Sequence, residues 1–250
     1  MTNCFDINCD VGEGSLNDVE LMSFISSANI SCGKHAGDES TMRLAINAAL
    51  KKGVSIGAHP GFEDRENFGR LVKSLNDQEV YLLVLNQVKD FCRFAERLGA
   101  RVNHVKPHGA LYNQAAGNKH IARAIIQAVY ECSPKLIIYG LAGSEFIAEA
   151  RSKGLMCLEE MFADRSYEPD GTLTPRSLPN AVLEDEGVAI KQVLSCIQDH
   201  VITARGGKII PLRADTVCVH GDNPHGLQIA RHLHRVLTQA QISIKAYTNV

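Results

Sequence analysis

The stretch Phe5-Asp6-Ile7-Asn8-Cys9-Asp10 alternates apolar and polar residues without a break. Successive side chains of a β-strand point to opposite faces, so Asp6, Asn8 and Asp10 share one face and Phe5, Ile7 and Cys9 the other. Three later segments repeat the pattern. Ser55, Gly57 and His59 share a face, as do His104, Lys106 and His108, and as do Thr216, Cys218 and His220. Strands are expected over 5–10, 28–32, 54–59, 102–106, 136–140, 155–159 and 216–220. Amphipathic helices alternate with them, which is the α/β pattern. One follows Asp38, a suitable N-cap, and stops before Gly53. A second starts near Asn76 and Asp77; its apolar residues Val80, Leu83, Val84, Val88, Phe91, Cys92, Ala95 and Leu98 keep three-to-four spacing. Further helices are expected over 119–131, 144–153, 186–199 and 226–239.

Such a chain can form an open doubly wound sheet or a closed barrel. A parallel sheet covered on both faces reads as continuous Val, Ile and Leu. Polar faces that converge on strand ends suit the mouth of a (β/α) barrel, where enzyme sites lie. The length of 250 residues also suits one barrel domain, without a linker to divide it.

Composition excludes several classes. With 26 Lys and Arg against 28 Asp and Glu, the net charge is −2. Phosphate-backbone binding usually shows as a basic excess, so no nucleic-acid partner is expected. No apolar run reaches the roughly 18 residues of a membrane span, and the first residues lack the basic start of a secretory signal. The eight Cys contain no Cys-x-x-Cys pair and read as reduced, mostly buried thiols. A cytoplasmic location is expected. Cys32 beside His35 offers a weaker nucleophile alternative. Ten His in a chain without Trp is the compositional oddity.

Four blocks concentrate chemistry. In Asp6-Ile-Asn8-Cys-Asp10-Val-Gly-Glu13-Gly14, three polar side chains leave one strand face and a Gly-flanked Glu follows. Their burial is costly unless they serve something. In Asn29-Ile-Ser-Cys-Gly33-Lys-His35-Ala-Gly37-Asp38, His35 sits between glycines at a strand-to-helix turn, suited to ligand or acid/base work. The spacing is not that of a P-loop. In Gly57-Ala-His59-Pro-Gly-Phe62, His59 ends a strand, and Arg65 and Arg70 follow as candidate anion grips or plain surface ion pairs. In His104-Val-Lys106-Pro-His108-Gly, a Lys aimed into a barrel mouth calls for an anionic substrate, or for pairing with Asp6 or Asp10. The segment near 160–187, with Glu159, Glu160, Asp164, Arg165, Tyr167 and Arg176, lacks helical periodicity and is expected to be a lid-like loop. His220, in Val219-His220-Gly221-Asp222, is a candidate substrate contact.

These segments, together with HVKPHGALYNQAA (residues 104–116), GLAGSE (140–145) and EEMFADRSYEPDGTL (159–173), strongly resemble the LamB/YcsF family from Asp6 to Asp222. Lys34 departs from the apolar residue common before the His. The resemblance implies a deacetylase-like (β/α) barrel, expected to have seven strands. It implies ATP-dependent hydrolysis of 5-oxo-L-proline to L-glutamate with two partner 5-oxoprolinase subunits. On that basis Asp10, with one of His35, His59 or His108, is the candidate for activating water and protonating the leaving nitrogen. Asn8, Glu13, Arg65, Lys106 and His220 are candidate substrate contacts. ATP would be a co-substrate, bound here or by a partner. Two other readings keep the same residues: a divalent metal on Asp10, His35 and His59 that hydrolyses a small amide without ATP, and a non-catalytic subunit that hands substrate to partners.

Overall fold

Residues 4–221 and 225–249 are described by the computed structural model; Asp222 of the last motif lies outside them. In chain order the elements are β1 (Cys4–Val11), α1 (Asp18–Leu21), β2 (Ser27–Ser31), α2 (Glu39–Lys52), β3 (Ser55–His59), α3 (Asp77–Arg97), β4 (Val102–Val105) and α4 (Gly109–Gly117). There follow α5 (Lys119–Cys132), β5 (Ile137–Leu141), α6 (Glu145–Lys153), β6 (Cys157–Phe162), α7 (Glu186–Asp199), β7 (Val201–Thr203), β8 (Ile209–Pro211), β9 (Thr216–His220), α8 (Gly226–Gln239) and β10 (Ser243–Ile244).

The order β1-β2-β3-β4-β5-β6-β9 is parallel throughout, and β9 pairs back onto β1 from Asp6↔Thr216 to Asp10↔His220. The sheet is therefore a closed barrel of seven strands, as expected. β10 adds a short outer pairing to β1 at Cys4↔Ser243, and β7 with β8 makes a separate antiparallel hairpin.

Local chemistry explains the helix ends. The Asp38 carboxylate accepts from the Ser40 and Thr41 N–H groups, and the Thr41 hydroxyl accepts from the Asp38 N–H, so α2 begins in a capping box. Gly53 closes it in the left-handed conformation at φ 69°. Asn76 and Glu79 make the same reciprocal cap for α3. The apolar faces of these helices pack on the outward faces of the strands, where Ile7, Cys9, Ile30, Ile56, Ala58 and Val219 are buried. The main core is thus a ring between barrel and helices, and the barrel interior takes the polar faces together with a small separate cluster of Ile137, Tyr139 and Leu158, whose Tyr139 stacks on His104.

Candidate active site

The inward residues form polar tiers. Lowest, Asp6 is fully buried and accepts from the hydroxyls of Ser26 (2.6 Å), Ser27 (2.7 Å) and Thr216 (2.6 Å). Burial raises its pKa despite those bonds. Above it, the Asn8 amide donates to Glu160 Oε1 and Thr216 Oγ1, both at 2.8 Å, and its oxygen accepts from Asn29 at 2.8 Å. The His104 ring fills the space beside Gly57: a Cβ at Gly57 would stand 2.1 Å from His104 Nε2.

At the C-terminal strand ends lies a charged tier. Lys106 Nζ is 3.0 Å from Asp10 Oδ1 and 2.9 Å from Glu160 Oε1, with the lysine 2% exposed. Glu160 also accepts from Tyr112 at 2.7 Å. Burial opposes the Lys106 charge, yet Asp10, Cys218 and Glu160 outweigh it and its pKa rises. Burial would likewise raise Asp10, but His59 and Lys106 hold its carboxyl well below the usual range. The anion-holding role expected of Lys106 therefore meets two carboxylates already in place.

Beside this tier, four residues converge, three from the loops after β1, β2 and β4 and one from the end of β3. Glu13 Oε1 is 2.8 Å from His35 Nε2, 3.2 Å from His108 Nδ1 and 3.7 Å from His59 Nε2. His35 stacks on His108 with ring centroids 3.8 Å apart. His59 Nε2 is 2.9 Å from His108 Nδ1 and 3.3 Å from Asp10 Oδ2. The outer nitrogens are tied to backbone: His59 Nδ1 to the Lys106 carbonyl at 2.7 Å, His108 Nε2 to the Phe68 carbonyl at 2.9 Å. Burial lowers the His35 pKa to about 4, so that ring is neutral at physiological pH. Burial opposes the charge of Glu13, but the His108 and His35 rings beside it hold its carboxyl far below the usual range. Gly61 gives the two stacked rings their room, since a Cβ there would stand 2.8 Å from His35 Nδ1.

A cavity of about 910 Å³ opens onto both groups. Asp10, Glu13, Lys106, His108 and His220 line it, as do Arg70, Arg165 and Arg176. The irregular stretch between β6 and α7, residues 163–185, is shorter than the expected 160–187 and contributes Arg165 and residues 172–177 to the wall. Arg165 donates to the carbonyls of Ala181 (3.0 Å) and Thr174 (2.6 Å) and so pins this stretch. Burial, with Arg176 nearby, lowers its pKa to about 10, still cationic at neutral pH.

The structure thus gathers Asp10, Glu13, His35, His59, Lys106, His108 and His220 at one mouth. Asn8 lies beneath it, bonded inside the barrel. Arg65 stands apart: it donates to the Gly33 carbonyl at 2.9 Å from an exposed position and does not line the cavity. The arginines that line the cavity are Arg70, Arg165 and Arg176. His220 Nδ1 is 2.8 Å from Asp164 Oδ1 and its ring stacks on Phe162. Burial pushes the Cys32 thiol far up, which disfavours its thiolate. Lys34 is exposed and pairs with Glu63 at 3.3 Å. Glu160 and Tyr112 belong to the site in addition to the expected residues. The signal for Glu160 lies one residue past the expected end of the sixth strand, where alternation turns its side chain inward.

The comparisons agree with this geometry. The LamB/YcsF family model matches residues 5–250. The A subunit of 5-oxoprolinase from Brevibacillus brevis is 46% identical over 246 residues, which span 96% of this chain and 97% of that protein. A protein of the same name from Geobacillus thermodenitrificans is 46% identical over 245 residues, 96% of each chain. The lactam utilization protein from Thermus thermophilus superposes with a TM-score of 0.90 at 36% identity, over 98% of this chain and 100% of that one. With nearly its whole length matched in sequence and in fold, the chain belongs to the LamB/YcsF family.

Proposed function

We propose that this chain is the lactam-handling subunit of an ATP-dependent 5-oxoprolinase, which opens 5-oxo-L-proline to L-glutamate together with two partner subunits in the cytoplasm. Full-length relatives bearing that name support the reading. The observation that carries it is the cavity itself, whose lining brings together carboxylates, imidazoles and three arginines. A five-membered lactam with a carboxylate needs both: a cationic wall for the carboxylate and proton-handling groups at the amide.

The ATP requirement has a physical reason. The lactam amide resists water, and its ring form is favoured because the closing amine stays at high effective concentration. Phosphorylating the lactam oxygen makes the ring carbon a better electrophile, and each ~1.4 kcal/mol taken from the barrier is about tenfold in rate. The sequence carries no P-loop, so ATP binds on a partner or between subunits in this reading. Asp10 and the His59–His108 pair face the lactam amide, and Lys106 keeps Asp10 oriented rather than holding the substrate.

The test mixes the purified chain with its partner subunits and follows ADP and glutamate together. Coupled release of both is expected only from the mixture. Full ATP-coupled turnover by the isolated chain would overturn the multi-subunit reading. The chain's own donor cluster keeps a second reading in play, metal-assisted hydrolysis of a small amide without ATP. Chelator-sensitive glutamate release that continues without nucleotide would favour that one.

A further inference from the structure

We infer that Glu13, His59 and His108 form a site for one divalent transition-metal ion whose remaining coordination positions open into the cavity. The ring hydrogens decide which atoms can bind it. A backbone carbonyl can only accept, so His59 Nδ1 and His108 Nε2, each bonded to one, carry the ring hydrogens. In neutral rings that leaves His59 Nε2 and His108 Nδ1 as bare lone pairs. They face each other at 2.9 Å with the Glu13 carboxylate beside them. Two lone pairs and an anion meeting in a buried pocket repel unless a cation lies between them. Backbone bonds of this kind are also how proteins fix the tautomer of ligating imidazoles.

The distances fit. Bonds of about 2.1 Å from one ion put neighbouring donor atoms roughly 3.0–3.4 Å apart at octahedral or tetrahedral angles. The three donor separations here are 2.9, 3.2 and 3.7 Å. Two imidazoles and one carboxylate, with open positions, suit Zn²⁺, Mn²⁺ or Fe²⁺. Glu13 and His108 line the cavity, so those positions face it.

The hydrogen positions also exclude His35 as a ligand. Its Nδ1 is buried and has no hydrogen-bond partner among the described residues. If Nε2 bound the ion, the hydrogen would sit on Nδ1, a buried donor left unsatisfied. The better arrangement keeps the hydrogen on Nε2, donated to Glu13 at 2.8 Å. His35 is then a positioning residue for the carboxylate. Asp10 lies outside this group of donors: its Oδ1 already accepts from Asn29 at 2.8 Å and Lys106 at 3.0 Å, and its Oδ2, 3.3 Å from His59 Nε2, does not join the cluster that Glu13, His35, His59 and His108 form. The second group of possible ligands, Asp10, Cys218 and His220, has the Lys106 ammonium 3.0 Å from the Cys218 sulfur, a cation where another would have to sit. The expected triad Asp10, His35 and His59 therefore becomes Glu13, His59 and His108.

The site stands or falls on ion binding, apart from turnover, so its failure is distinguishable from failure of the lactam reading. The full chain is stripped with chelator, then titrated with ZnCl₂ and MnCl₂ by calorimetry, with metal content measured after desalting. One equivalent is expected, with a raised thermal midpoint, and Co²⁺ loading should give visible ligand-field bands. Glu13→Gln keeps the size and an acceptor for His35 and should abolish stoichiometric binding; His108→Ala should do the same. His35→Phe should weaken binding about ten- to a hundredfold without changing stoichiometry. Asp10→Asn should still bind one ion. No stoichiometric binding by the parent chain would mean that a shared proton fills the gap, and would overturn the site. Binding lost in Asp10→Asn but kept in Glu13→Gln would overturn the donor set.

Discussion

At the scale of single residues, burial decides what each polar group costs. Asp18 is 5% exposed; its Oδ2 accepts from the Gly12 N–H at 2.8 Å while Oδ1 has no partner among the described residues. Burial, opposed by that one bond, raises its pKa to about 6. A raised carboxyl pKa is a cost of ionisation in the folded state. The cost is absent below the unfolded value near 4, grows between about 4 and 6, and is full above that. Asp18→Asn keeps an oxygen for Gly12 and removes the charge. It should stabilise the protein at pH 7.5 by up to about 3 kcal/mol, with the gain vanishing near pH 4. Denaturant midpoints at both pH values check this; an equal gain at the two would rule out the charge as its origin. Gly57 is the opposite case, a residue needed for what it lacks. Gly57→Ala should cost about 3 kcal/mol by forcing Cβ into the His104 ring, and a second change, His104→Ala, should recover part of the loss.

At the scale of elements, the sequence was largely legible. Helices α7 and α8 run over the residues that periodicity and stop signals indicate, and α2 and α3 are capped by Asp38 and Asn76. Caps are local: a side chain bonds a backbone group three residues away, and that spacing is visible in the chain. Asp38→Ala should therefore cost about 1 kcal/mol through the start of α2, with no change in the denaturant slope; a neutral effect would mean the cap is replaced by solvent. What escaped were short elements without a period of their own. Helix α4, nine residues directly after His108, and the hairpin of β7 and β8, three residues per strand, are too brief to show one. The tertiary packing of their neighbours selects them.

At the scale of the whole molecule, closure of the barrel makes the site. Lys106 leaves the end of β4 and meets Asp10 of β1, Glu160 of β6 and Cys218 of β9, so one side chain ties four strands across the interior. Lys106→Met should leave two buried carboxylates without their cation and cost about 3–5 kcal/mol. Equilibrium unfolding measures it. Adding Glu160→Gln to Lys106→Met should return part of the stability; no recovery would mean the strands are not coupled through this charge.

The sequence by itself determined the repeating unit: strands with one polar face, helices with one apolar face, and histidines placed at strand ends. Those follow from period and local capping, which act over a few residues. It also marked Asp10, His35, His59, Lys106 and His108, because polar residues on a strand face are conspicuous. Only the tertiary structure decided which of them touch. Glu13 reaching three imidazoles, Glu160 joining Asp10 on one lysine, and Arg65 turning away to Gly33 depend on contacts between strands far apart in the chain. Such contacts are fixed by strand order and register in the closed sheet, and no local spacing encodes them.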